Sequence, residues 1–124
     1  MVKDMKYMVD HQLAHELLIA ELVVLTIEYD LKVVPQLKTN QIYTELLEHA
    51  LIQAQKRLNN VKKQAKSKKL SITKIPEKST ELFIEYLIIQ DNLQHSVSYA
   101  SYALRNNTMA AIKHYMPSTS SASN

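Results

Sequence analysis

Histidine and carboxylate side chains at helical spacing are the first places where this chain of 124 residues could do chemistry. His11 and His15, Glu45 and His49, and Asp91 and His95 are each four residues apart, so each pair shares one helix face and could grip an ion. Three such helices turned inward would build a carboxylate–histidine centre of the kind that helical metalloproteins use. The helical wheel separates them. His11 and His15 share the stripe of Leu18, Leu22 and Leu25, but Glu45 and His49 sit about 200° from Tyr43, opposite the apolar stripe of their segment. Asp91 and His95 lie on the flank of Ile84 and Ile88, away from the seam through Leu82 and Leu93. A metal-binding bundle is therefore the most distant of three functional readings, and no metal or other cofactor is expected.

Covalent and acid–base catalysis find less support. Ser98 has His95 three residues away, yet spacing places no acid to orient that imidazole. Zero glycine removes the oxyanion loop, the Rossmann fingerprint, the P-loop and the nucleophile elbow, which need glycine where φ is positive or backbone meets phosphate. It also counts against tight type I′ and II′ hairpins. Zero cysteine excludes a thiol nucleophile, a thiolate zinc site and a disulfide scaffold, and it suits a reducing compartment. Glu45 with Glu48, and Glu81 with Glu85, are ordinary helix-surface spacings. The chain is expected not to be an enzyme.

Charge gives the clearest functional signal. Residues 1–50 carry a net −4, residues 51–78 a net +8, and residues 79–124 a net −1, giving +3 for the chain. The middle block holds Lys56, Arg57, Lys62, Lys63, Lys66, Lys68, Lys69, Lys74 and Lys78 against Glu77 alone. Such a cluster either forms a solvated helix face, docks an acidic protein, or binds nucleic-acid phosphate without reading sequence. Arg57 and Arg105 are the only arginines, which argues against a reader of base edges. Tyr99 and Tyr102 fall off the apolar seam of their segment, and two readings stand equal: exposed contact residues, since tyrosine buries interface area at low entropic cost, or side chains packed on the first helix or the short last one.

The elements that would position these residues follow from periodicity. Ala14 to Ile27 is apolar almost all the way round a helical wheel, as expected of a central helix enclosed by neighbours. The first helix spans about 8–33 and stops before Pro35; the second spans about 39–66, with Tyr43, Leu47, Ala50, Ala54, Leu58, Val61 and Ala65 on one stripe. Residues 67–76 alternate Leu70 and Ile72 with Ser71 and Thr73 and read as extended. A third long helix is expected over about 77–105, its seam running through Leu82, Tyr86, Ile89, Leu93, Val97, Ala100 and Leu104, followed by a short helix at about 108–116. The expectation is an all-α antiparallel bundle in one domain, 1–116, with a disordered tail at 117–124. The apolar run at 13–27 is too short to span a bilayer and is broken by Glu16 and Glu21, and the first residues show no signal peptide, so cytoplasm without membrane association is expected.

The run from Tyr43 to about Leu104 resembles the YhjD-like family of small helical proteins from Bacillus and related Firmicutes. The matching features are YTELLEHA, QKRLNNVKKQ, the extended LSITKI, and IEY with His95 followed by ALRN. The resemblance implies fold and source only and assigns no activity or catalytic residue. The abundance of Lys, Ile and Asn points to an A+T-rich genome, with which a phage or mobile-element source is also compatible. Taken together, the expected function is a non-catalytic interaction or regulatory module that binds a protein partner or a second copy of itself. The alternative is non-specific nucleic-acid binding through the basic 56–78 segment.

Overall fold

A helix with apolar side chains on every side needs neighbours on every side. The computed structural model, which describes residues 8–33 and 41–116, supplies them. Helix α1 (His11–Val33) packs against helix α2 (Gln41–Ser67), helix α3 (Ser101–Tyr115) and an antiparallel sheet. The sheet has strands β1 (Leu70–Lys74), β2 (Phe83–Gln90) and β3 (Leu93–Ala100) in that spatial order, with a short 3-10 turn at Pro76–Lys78 between the first two. Leu13, Ala14 and Leu17 of α1 are buried with Val61 and Ala65 of α2 and with Leu70 and Ile88 of the sheet. One turn on, Leu18 packs with Tyr86 and Leu104. Further along, Val23, Val24 and Ile27 close on Leu47, Ala50 and Ala54 of α2 and Ile112 of α3. Enclosure is incomplete at the far end of α1, where Leu25 and Tyr29 are exposed.

The sheet overturns the all-α bundle. No third long helix occupies 77–105: its middle is a β-hairpin, and the fold is α+β. The short helix expected at 108–116 is the second half of α3, which already begins at Ser101. Helix α1 starts at His11, while the boundary of α2 near 39 and the tail at 117–124 lie outside the described residues. The error has a definite cause. Tyr86 and Val97 are eleven residues apart, a spacing that puts two side chains on one helix face, but here they are cross-strand partners. Leu93, Val97 and Tyr99 face the helices, while Gln94, Ser96 and Ser98 face away, which is strand alternation. The glycine-free hairpin turns through Asp91 and Asn92, with Asp91 in the left-handed region at φ 57°. Aspartate tolerates that region better than most residues, so the absence of glycine did not forbid the turn.

One residue ties the corner where these elements meet. Asp10 caps α1: its carboxylate accepts the Leu13 N–H at 3.0 Å, and its own carbonyl accepts the Ala14 N–H at 3.0 Å. The other carboxylate oxygen takes the Lys68 ammonium at 2.7 Å, and the Asp10 N–H donates to the Gln90 side-chain carbonyl at 2.6 Å. Beside it, Lys69 adopts φ 55° to leave α2, and its carbonyl accepts the Asp91 N–H at 3.0 Å. The Lys68 and Leu13 hydrogen bonds hold the Asp10 carboxyl below its ordinary value of 3.8.

Two expectations follow from this packing. Ile27→Ala, at a fully buried site between three helices, should cost about 2–5 kcal/mol in urea unfolding, and a cost near zero would mean that the centre of α1 is not core. Asp10→Ala should cost about 1–2 kcal/mol at neutral pH. Because the folded carboxyl titrates below its unfolded value, the charged contribution is complete above 3.8 and disappears as pH falls through the depressed folded value. Parent and variant should therefore converge in acid; a gap that is the same at pH 7 and at pH 2 would show that the carboxylate's charge contributes nothing.

Candidate functional site

The basic residues separate into two groups once the fold is known. Arg57 points toward α1 and pairs with Glu16 at 3.2 Å, while Gln12 donates to the same carboxylate at 3.0 Å. Lys68 is held by Asp10. Lys56, Lys62, Lys63 and Lys66 on α2, Lys69 in the turn, Lys74 on β1 and Lys78 after it are all exposed and make no ion pair among the described residues. They form a band along the second half of α2 and the adjoining edge of the sheet.

Between α2 and β1 that band borders a groove. Two adjoining hollows, about 310 Å³ and 430 Å³, share Glu21, Lys62 and Ile72 and run the length of β1. Leu17, Leu18, Leu22 and Leu25 of α1 form the floor, Leu58 and Ala65 of α2 one wall, and Leu70 and Ile72 of β1 the other. Lys62, Lys66 and Lys74 rim it, and Glu21 is the only carboxylate in its lining. Burial pushes the Glu21 carboxyl above its ordinary value of 4.5, and the nearby Lys62 only partly offsets this. The groove was not legible beforehand because its second wall is an edge strand, and Glu21 read as an interruption of an apolar run.

The histidines and tyrosines take other positions. His11 meets His95 edge-on with ring centroids 4.7 Å apart, and His15 stacks on Tyr99, its Nδ1 lying 3.2 Å from the phenol oxygen. Tyr99 in turn meets Tyr86 edge to face at 5.7 Å. Burial raises the pKa of both phenols, and for Tyr86 the neighbouring Tyr99 and Glu21 add to the effect. Glu45 and His49 stay on the exposed face of α2, and Asp91 sits in the hairpin turn. Among the described residues, no three ligating side chains surround a common point. Tyr99 and Tyr102 do not form one surface: the first is half-buried under His15, and the second is 70% exposed on α3. Ser98 and His95, three apart on a strand, face opposite sides of the sheet.

Three helices packed with a three-stranded meander, with a basic groove along one sheet edge, define a small α+β fold. The chain belongs to the YhjD family: the family model described as YhjD protein matches residues 6–120. Neither the curated proteins nor the solved structures contain a match to it. No described helix is long and apolar enough to cross a membrane.

Glu21→Gln tests the electrostatics of the groove. A carboxyl whose folded value is raised favours its neutral form, so ionisation costs stability above the folded value and nothing below 4.5. The variant should melt at a higher temperature than the parent at pH 7, and the gap should close below pH 4.5. A variant that melts lower at pH 7 would mean that the carboxylate is satisfied in the groove.

Proposed function

We propose that this protein is a non-catalytic interaction module of the cytoplasm that docks the acidic surface of a partner protein through the lysines of α2 and β1. The observation that carries this reading is the exposed band of lysines around a groove whose single carboxylate is pushed toward neutrality by burial. Such a surface joins an excess of positive charge to an apolar floor, which together favour an anionic polypeptide with apolar side chains. The separation of Ser98 from His95, and of Glu45 and His49 from the other ligand-type residues, supports a binding role over a catalytic one. The scarcity of arginine favours protein over nucleic acid, since arginine supplies most specific base contacts.

Replacing Lys62, Lys63, Lys66 and Lys69 together by Gln separates the readings, since all four side chains are exposed and the fold should survive, as checked by circular dichroism. Immobilised poly-glutamate should retain the parent at physiological salt and release the variant, while duplex DNA retains neither. Binding to DNA that weakens by about 150-fold between 50 and 200 mM salt, the response expected for about four phosphate contacts, would transfer the band to nucleic acid. Unchanged retention of the variant on poly-glutamate would reduce the band to a solvated face.

A further inference from the structure

The backbone of β1 carries information that its side chains do not. The hydrogen bonds from the Asp91 N–H to the Lys69 carbonyl (3.0 Å) and from the Ile75 N–H to the Glu85 carbonyl (2.8 Å) fix the ladder between β1 and β2. In an antiparallel pair the hydrogen-bonded positions alternate, so Lys69, Ser71, Thr73 and Ile75 bond to β2. The N–H and C=O groups of Leu70, Ile72 and Lys74 therefore point away from β2, and no described residue pairs with them. This open edge lies along the groove, on the side overhung by α2.

We propose that the outer edge of β1 is a vacant strand position, filled when an extended acidic peptide adds a fourth strand to the sheet. The inference rests on the acidic-partner reading and specifies its mode. A strand placed one strand spacing, about 4.8 Å, beyond β1 would satisfy the free backbone groups of Ile72 and Lys74. Its alternate side chains would drop into the groove against Leu18, Leu22 and Ile72, within reach of Lys62 and Lys66 on the rim.

Charge selects the occupant. Lysine on an edge strand ordinarily repels neutral or basic strands and so guards against indiscriminate pairing. The same lysines admit an acidic strand, and Lys62, Lys66 and Lys74 outnumber Glu21, the one carboxylate in the groove lining. A second copy of this chain fits poorly, because two β1 edges meeting antiparallel about Ile72 would bring Lys74 of each copy beside Lys69 of the other, with Lys62 and Lys66 of both adding to the repulsion. The opposite edge, β3, has Gln94, Ser96 and Ser98 and none of the lysines.

The test uses a fluorescent Glu–Val peptide of about eight residues, long enough to cover β1, in which each set of alternate positions holds both Val for the apolar floor and Glu for the rim lysines. It should bind the parent and slow hydrogen exchange at the Ile72 and Lys74 amides. Lys74→Gln should weaken binding a few-fold. Lys74→Pro removes the same charge and also the outward N–H, leaving the β2 ladder intact, and should weaken binding by about ten-fold more. Equal binding by these two variants overturns strand addition and leaves the acidic-partner reading in place. Undiminished peptide binding by the quadruple Gln variant overturns that reading instead. Should the proline variant not fold, the peptide itself decides: N-methylation of one alternate set of residues should abolish binding and of the other set preserve it, and equal behaviour overturns the proposal. So does a concentration-dependent dimer that an N-terminally fused Glu–Val peptide fails to dissolve, which would assign the edge to a second copy. A single-stranded oligonucleotide of equal charge that binds more tightly, without protecting the β1 amides, likewise overturns it.

Discussion

Asp10 holds together three stretches of chain that are distant in sequence, two through its carboxylate and the third through its backbone N–H. Through Leu13 it starts α1, through Lys68 it pins the end of α2, and through its own N–H it reaches Gln90 at the end of β2. Fixing that corner sets the register of α1 across the sheet, so that Leu13 and Leu17 meet Ile88 and Leu18 meets Tyr86 on successive turns. It also sets where β1 begins, because Lys69 leaves α2 directly beside the pinned lysine. The gap between α2 and β1 is a consequence: the helix runs on past the strand, and three strands cannot cover two long helices.

This geometry divides the cations by role. Arg57 and Lys68 are exposed but pair with the partly shielded carboxylates of Glu16 and Asp10, which makes them part of the scaffold. The others project from the face of α2 away from the Ala54–Val61–Ala65 stripe or from the edge of β1, where water screens them and their mutual repulsion is tolerable. Among the described residues, the ion-paired and the unpaired cations are thus different members of one charge cluster, which allows the outer lysines to be exchanged without loosening the corner.

Much of this was visible in the sequence, and the failures have physical causes. The all-round apolarity of Ala14 to Ile27 identified the helix on which the other elements pack, and the basic block was complete from residue counts alone. Leu70 and Ile72 showed their alternation because a lysine-rich helix ends just before them. The β2–β3 hairpin was hidden because apolar residues lie on both faces of β2: Phe83, Leu87 and Ile89 face outward, opposite Tyr86 and Ile88, so the strand has no polar side to announce it. Its turn lacked the glycine that usually marks one, with Asp91 in its place. The strand turns Tyr99 toward His15 of the first helix, the packed one of the two positions left open for it. Likewise His11 and His95, assigned to separate surfaces, touch only because β3 runs back beneath α1.

The order of elements along the chain has a consequence for synthesis. The strongest pairings join sequence neighbours, α1 with α2, β1 with β2 and β2 with β3, so two hairpin-like units can form from local contacts and then dock. The helical pair leaves the ribosome first, with the sheet-facing side of α1, including Leu13, Leu17 and Leu18, still uncovered. At typical elongation rates the remaining strands follow only after a few seconds (~2–7 s). During that interval the nascent chain presents an apolar helix face beside a dense row of lysines, a combination that suits transient shelter by a chaperone. The lysines that later border the groove would keep neighbouring nascent chains apart until β2 arrives to cover α1.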